Sequence, residues 1–124
     1  VGCRNIKTLA TLVPEGARQI AERPIEEVAK TVTFSLGPSA RLVYGATAGS
    51  SIDTSLVTRA KKVTDIPIFA SNGVKAETVA SILSTADGCV VGTWLKHEGK
   101  FYNPVDSQRV AELMKNAKEA RGTL

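Results

Sequence analysis

Ile66–Val74 (IPIFASNGV) and Ala86–Lys96 (ADGCVVGTWLK) are the two stretches of sequence that decide the fold. Each contains a short apolar run, residues 67–70 and 88–92, that leads into a turn of small residues. The runs are almost continuously apolar and do not alternate with polar residues, a pattern typical of parallel strands that are covered on both faces. We therefore predict two parallel strands, each followed by a tight turn.

Helical patterns lie before, between and after these strands. Pro24 opens a helix with apolar residues at i, i+3, i+4 and i+7, and Gly37-Pro38-Ser39 ends it. Asp53 is placed to cap a second helix, residues 79–86 carry a third, and Asp106 caps a fourth. The residues that we expect to face inward on the fourth helix are Val110, Leu113, Met114 and Ala117.

Two further strands complete a repeating β–α pattern. We predict one at Ala40–Tyr44 and the first of the chain at Asn5–Thr8, where the pattern by itself favours no single element. Four β–α units in 124 residues give about 30 residues per unit, which is the size of a right-handed crossover unit. A (β/α)₈ barrel needs about 250 residues. The prediction is therefore an α/β fold over residues 1–124, a single partial domain with about half of a TIM-type barrel.

The composition excludes several classes of function. The net charge is +4, but the basic residues are scattered and only 5% of residues are aromatic, so we expect no nucleic-acid partner. One histidine, His97 in a polar stretch, and two cysteines supply no set of zinc ligands and no disulfide framework. We expect no metal site, and no cofactor can be assigned. No apolar run approaches the roughly 20 residues that cross a bilayer.

The turns after the last two strands are the candidate phosphate-binding site. In parallel α/β sheets, ligands bind beyond the carboxyl ends of the strands, and barrels often hold a phosphate after the last two. Glycine there lets the backbone approach a ligand closely, and a following helical turn directs free N–H groups at an anion. The residues that we predict to bind phosphate are Ser71, Asn72, Gly73, Gly92 and Thr93. The alternative is that both glycines serve only as turn residues.

Other candidates are less distinctive. The small residues of the loop 45–51 suit a pocket loop, with Gly45, Thr47 and Gly49 as its members, or else a flexible connection. Lys7, at the predicted first strand, is a candidate catalytic base or anion clamp, and Asp53 a second catalytic candidate. The alternatives are an exposed lysine and a simple helix cap. No pair of carboxylates is placed for acid–base catalysis, so the sequence assigns no reaction.

The same stretches resemble the BtpA/SgcQ family when they are taken with Asn103-Pro104-Val105-Asp106. The sequence upstream, at Arg23–Ala29 and Gly45–Asp53, is also similar. The resemblance implies the C-terminal half of a TIM-type barrel. Two departures are that the first turn reads Ser71-Asn72-Gly73, where the family has a glycine-rich turn, and that Ile6-Lys7-Thr8 lacks the family's histidine.

The resemblance implies two classes of function. The family's name comes from a role in photosystem I biogenesis, as a peripheral thylakoid protein, and other members are described as acting on nucleotides or sugar phosphates. We therefore expect either a barrel that binds a phosphorylated small molecule or a non-enzymatic assembly factor for a membrane complex. Half a barrel also exposes its interior, so we expect a second copy or a larger polypeptide to cover it. The expected location is the cytoplasm or an organellar matrix, with peripheral membrane association allowed.

Overall fold

The chain folds as four consecutive β–α units. The structure, a computed structural model, describes residues 5–15, 17, 19–45 and 50–122. In chain order the elements are β1 (Leu9–Thr11), α1 (Ile25–Leu36), β2 (Ala40–Tyr44), α2 (Thr54–Lys61), β3 (Ile68–Ser71), α3 (Val79–Leu83), β4 (Gly88–Val90), two 3₁₀ turns (Thr93–Leu95 and His97–Gly99) and α4 (Ser107–Ala120). All four strands are parallel and pair in the order β1-β2-β3-β4. The predicted α/β fold of four parallel units is confirmed.

Helix boundaries follow from local sequence signals. α1 begins after Pro24 and ends at Gly37, which adopts a left-handed conformation with φ of 51° and donates its N–H to the Thr33 carbonyl. Asp53 caps α2 by accepting a hydrogen bond from the Ser55 N–H at 2.9 Å. Asp106 caps α4 in the same way, through the N–H groups of the first helical turn. These helix starts are as predicted.

The predicted strand bounds agree with the structure for β2 and differ from it for the other three strands. β2 has the predicted bounds, and β3 is displaced by one residue. The prediction of a first strand at Asn5–Thr8 is wrong, because the segment that pairs with β2 is Leu9–Thr11. β4 ends at Val90, two residues earlier than predicted.

The hydrophobic core lies between the sheet and its helices. Val43, Ile68 and Ala70 point toward the helices, where Val57 of α2 and Val79 of α3 are fully buried. Burial of a valine-sized side chain contributes about 1.5–3 kcal/mol to folding, so this layer carries much of the stability.

One face of the sheet and one side of α4 are left uncovered by the described residues. Leu9 and Val90 lie on the sheet face opposite the helices and are 45% and 42% exposed. Met114 of α4 is 47% exposed, so the prediction that it faces inward is wrong, whereas Leu113 is buried. The uncovered sheet face is the one that the interior of a closed barrel would bury.

Arg41 is a buried cation on the helix-covered face of β2. Its guanidinium donates hydrogen bonds to the hydroxyls of Thr64 and Thr33, and its Nε has no partner among the described residues. Burial lowers the pKa of Arg41 below its ordinary value. The side chain therefore links β2 to α1 and to the segment before β3, away from the uncovered sheet face.

Parallel pairing places the carboxyl ends of all four strands at one edge of the sheet, which we call the carboxyl edge. The segments that follow β2, β3 and β4 all begin there. No helix among the described residues is long and apolar enough to span a membrane.

Candidate functional site

A cleft of about 760 Å³ opens at the carboxyl edge between the segments that follow β3 and β4. We call it the rim cleft. Its wall includes all five residues predicted to bind phosphate, which are Ser71, Asn72, Gly73, Gly92 and Thr93. The structure therefore brings the two predicted turns together in one concave site.

The turn after β3 has an unusual backbone. Asn72 and Gly73 are both left-handed, with φ of 72° and 62°. A methyl group on Gly73 would lie 2.0 Å from the Ser50 carbonyl oxygen, so the Gly73 backbone packs directly against the segment that follows β2. A side chain at Gly73 would therefore be strained and would also collide with backbone atoms. Asn72 stands where the family pattern led us to expect a glycine. Asparagine tolerates the left-handed region better than most residues, so the turn keeps its conformation.

The turn after β4 is open. Gly92 precedes the first 3₁₀ turn, in which the Leu95 N–H donates to the Gly92 carbonyl at 3.1 Å. A methyl group on Gly92 would meet no other atom within 4 Å. The backbone at Gly92 and Thr93 therefore faces unoccupied space and is accessible to a ligand.

Several polar groups in the rim cleft make no hydrogen bond to the part of the chain that the structure describes. Across the described parts of the chain, no acceptor bonds the backbone N–H groups of Asn72, Gly73, Gly92 or Thr93. The side-chain Nδ2 of Asn72 is buried and likewise makes no hydrogen bond to those residues. Gly92 and Thr93 are exposed, so water can bond their N–H groups, whereas the buried Nδ2 of Asn72 is a donor of the kind that is nearly always paired in folded proteins. The rim cleft therefore offers a ligand accessible backbone donors at two turns and one buried side-chain donor.

Arg109 is a cleft residue that the sequence analysis missed. It lies in the first turn of α4, donates a hydrogen bond from Nη1 to the Trp94 carbonyl at 2.7 Å and stacks 5.0 Å from the centre of the Trp94 ring. It thereby ties α4 to the 3₁₀ turn that contains Thr93. The sequence signal was a cation three residues after a helix cap, but only the fold brings it back to the β4 turn.

Other charged residues also line the rim cleft. Lys75 is exposed two residues after Gly73, and Glu15 and Glu77 contribute carboxylates. The structure records no salt bridge from Lys75 to any described residue. The cleft thus combines backbone donors with cations and carboxylates, a mixture suited to a ligand that has both an anionic group and hydroxyls.

Asp106 fixes the base of the segment between β4 and α4. Its carboxylate accepts hydrogen bonds from the Gln108 and Arg109 N–H groups and lies 3.1 Å from His97 Nδ1. Partial burial opposes ionisation, but these donors prevail and lower the pKa of Asp106. His97 is 56% exposed, as expected for a solvated loop histidine, and is not part of the rim cleft.

The remaining candidates lie outside the rim cleft. Lys7 is exposed and precedes β1, at the opposite edge of the sheet, because the first strand starts two residues later than it. The prediction that Lys7 projects into the barrel mouth is therefore corrected. Asp53 follows β2 toward the carboxyl edge but is occupied as the cap of α2, and the Ser55 hydrogen bonds lower its pKa.

The predicted pocket loop is seen only in part. Gly45 is buried, and a methyl group on it would lie 2.9 Å from the Ser50 carbonyl oxygen. Gly45 and Gly73 therefore pack against the same residue, which puts this loop beside the β3 turn. Thr47 and Gly49 lie outside the described residues.

Sequence comparison identifies relatives over nearly the whole chain. A model of the BtpA family matches residues 1–119. SgcQ, a protein of the sgc region of Escherichia coli (strain K12), is 40% identical over 98% of this chain and 46% of its own length. The uncharacterized protein PYRAB10620 of Pyrococcus abyssi is 27% identical over 98% of this chain and 51% of its own. The chain thus spans about half the length of these curated relatives.

Two solved structures share the fold. N-(5'-phosphoribosyl)anthranilate isomerase from Pyrococcus furiosus is similar with a TM-score of 0.56 at 20% identity, over 90% of this chain and 49% of the isomerase. Tryptophan synthase from M. tuberculosis is similar with a TM-score of 0.52 at 26% identity, over 93% of this chain and 39% of the synthase chain. Both are TIM-barrel enzymes, so the four units described here are half of such a barrel.

Proposed function

Because this chain belongs to the BtpA family, we propose that it contributes half of a barrel that binds a phosphorylated small molecule, a nucleoside or sugar phosphate, with the phosphate in the rim cleft. The observation that carries the proposal is the convergence of two turns whose backbone N–H groups have no acceptor among the described residues. Four such donors at one place suit the several oxygens of a phosphate group. The proposal concerns binding and includes no reaction.

The backbone geometry favours an anion over a neutral ligand. The turn at Asn72 and Gly73 presents two successive backbone N–H groups that bond no acceptor among the described residues, and successive N–H groups in turns form anion-binding concavities. The 3₁₀ turn after Gly92 adds the N–H groups at its start. In this proposal the Thr93 hydroxyl donates a further hydrogen bond to the phosphate.

The charged residues of the rim cleft complement this arrangement. The Arg109 guanidinium has five N–H donors and commits one bond to Trp94, so the others remain for a phosphate oxygen. Lys75 adds a second positive charge next to the β3 turn. The carboxylates of Glu15 and Glu77 accept hydrogen bonds and suit the hydroxyl groups of a sugar.

The position within the barrel also supports the proposal. If the chain is the C-terminal half, β3 and β4 are the seventh and eighth strands of the barrel. Barrels frequently hold a phosphate at the loops after these two strands and at the start of a short extra helix. The 3₁₀ turn Thr93–Leu95 occupies the place of that short helix.

Calorimetric titration with inorganic phosphate and ribose 5-phosphate tests the proposal, with Thr93→Val as the key variant. Valine keeps the shape of threonine and removes the hydroxyl, so we expect affinity to fall by roughly tenfold to a hundredfold, the range for a hydrogen bond to a charged group. Thr58→Val is the matched control, because Thr58 lies on α2, away from the rim cleft, and its hydroxyl donates to the Thr54 carbonyl. Equal losses in both variants, or no binding of either probe, would contradict the proposal.

A second candidate function is that of a non-enzymatic assembly factor. The observation that favours it is the exposure of two large apolar side chains near the end of α1, Phe34 at 94% and Leu36 at 67%. Apolar groups at such positions often contact a protein partner. Affinity capture from native extract with the wild type and with Phe34→Ser is the test. A partner retained by the wild type and lost by the variant supports this function, and no partner in either case contradicts it.

A further inference from the structure

The rim cleft is larger than a phosphate group requires. Its volume is about 760 Å³, within the range of about 300–1,000 Å³ that small-molecule sites occupy. The two glycine turns form one part of it, so space remains for the rest of the ligand. The residues that line this remaining space therefore indicate what that part of the ligand is.

Beside its charged residues, the lining beyond the turns has an apolar and aromatic part. Val90, Trp94 and Phe101 all contribute to it. Phe101 is 68% exposed, so its apolar surface is available to a ligand. Such surface favours a ligand that carries an apolar or aromatic group in addition to its phosphate.

Three aromatic side chains line the rim cleft, and of these Phe101 is 68% exposed whereas Tyr44 and Trp94 are half-buried. Tyr102 packs against Phe101 at right angles, with ring centres 5.2 Å apart, and an edge-to-face pair covers at most one face of Phe101. Trp94 has one ring face already occupied by the Arg109 guanidinium. A planar ring in the ligand can therefore stack on Phe101 without displacing the Arg109 guanidinium, which covers one face of Trp94.

The segment that carries Phe101 is held in place by hydrogen bonds. The Asn103 side chain donates to the His97 carbonyl at 2.9 Å, and the Asn103 N–H donates to the Lys100 carbonyl. An antiparallel bridge between Lys96 and Val105 closes the segment at its base. Phe101 is thus carried on a closed loop next to the Gly92 turn, and because the backbone of this loop is already held, less ordering is required when a ligand binds.

We infer that the phosphorylated ligand carries a planar aromatic ring, as a nucleoside monophosphate does, and that this ring stacks on Phe101 of the rim cleft. The inference rests on the phosphate site proposed above and selects nucleoside phosphates over simple sugar phosphates. Stacking on a phenyl ring tolerates different bases, because every base has a π face. The site thus selects a class of ligand and leaves the identity of the base open.

The test compares ribose 5-phosphate with the four common ribonucleoside 5'-monophosphates by calorimetric titration of the protein. At least one nucleotide is expected to bind about fivefold tighter than ribose 5-phosphate, or tighter still, the effect of one base stacked on an aromatic side chain. Phe101→Ala and Phe101→Leu should both lower the ratio of nucleotide affinity to ribose 5-phosphate affinity to about one, because each removes the aromatic ring on which a base stacks. Phe101 is exposed, so neither variant removes core packing.

The matched control is Tyr102→Ala, since Tyr102 is 95% exposed and does not line the rim cleft. It should keep the preference for the nucleotide. If ribose 5-phosphate binds as tightly as every nucleotide, or if Phe101→Leu retains the preference, the ring site is refuted while the phosphate site stands. If neither ribose 5-phosphate nor any nucleotide binds, both proposals fail.

Discussion

Replacement of Gly73 by alanine should destabilise the protein by an amount that the geometry of the β3 turn sets. The new methyl carbon would lie 2.0 Å from the Ser50 carbonyl oxygen and 2.8 Å from the Ser50 carbonyl carbon. Cβ atoms in proteins do not come within 3.0 Å of other heavy atoms, so the backbone at Ser50 would have to move by about 1 Å. The residue would also remain left-handed, with φ of 62°.

Two costs therefore add in Gly73→Ala. The left-handed conformation costs alanine about 1–2 kcal/mol, and forcing an extra methyl group into packed surroundings costs about 1–3 kcal/mol. We expect a total loss of about 2–5 kcal/mol in the free energy of unfolding. For a domain with a stability of about 5–15 kcal/mol, such a loss is large.

Urea unfolding followed by far-ultraviolet circular dichroism measures this loss, and two other glycines separate its causes. Gly37 has φ of 51° but open space around it, so Gly37→Ala should show only the backbone strain of about 1–2 kcal/mol. Gly92 has neither feature, so Gly92→Ala should stay within about 1 kcal/mol of the wild type. If Gly73→Ala is as stable as Gly37→Ala, Gly73 does not pack against Ser50 and the described turn is wrong.

Three further predictions follow from other parts of the structure. Arg109→Ala removes the hydrogen bond to Trp94 that holds the 3₁₀ turn, so affinity for ribose 5-phosphate should fall about tenfold in calorimetry; an unchanged affinity would exclude Arg109 from the site. Hydrogen bonds from Arg59 lower the pKa of Glu26 to about 2, so this pair should stabilise the fold above about pH 4.5 and lose its effect as the pH falls toward 2. The difference in Tm between wild type and Glu26→Gln should shrink over that interval, and a difference that is constant with pH would contradict the ion pair. In sedimentation, the 124-residue chain alone should form dimers that cover Leu9 and Val90, whereas a stable, compact monomer would contradict the uncovered sheet face.

The fold was largely predictable from sequence because local signals and tertiary structure agree at most elements. β2 is bracketed by Gly37-Pro38-Ser39 before it and Gly45 after it, and all of its described residues but Tyr44 are buried. β1 has only three residues, and pairing with β2 selects them, which no local pattern reports. Met114 was misplaced for a related reason, since helical periodicity shows which residues share a side but not whether another element covers it.

The candidate site was predictable where it depends on turns and not where it depends on long-range contacts. Gly73 and Gly92 follow strands directly, and parallel pairing of β3 with β4 is sufficient to bring them together. Arg109 reaches the rim cleft only because the segment after β4 folds back on itself. Lys7 was assigned to the wrong edge of the sheet because the error in β1 displaced it from the strand.

Two-dimensional ¹H–¹⁵N NMR during titration with ribose 5-phosphate is the decisive test of the phosphate site, since it reports on each backbone N–H separately. We expect large, saturable shifts at Gly73, Gly92 and Thr93, whose N–H groups have no acceptor among the described residues, and small ones at control residues such as Gly37, whose N–H donates to the Thr33 carbonyl. Saturable shifts confined to other parts of the chain, or no shifts at millimolar concentrations of the probe, would contradict the phosphate site.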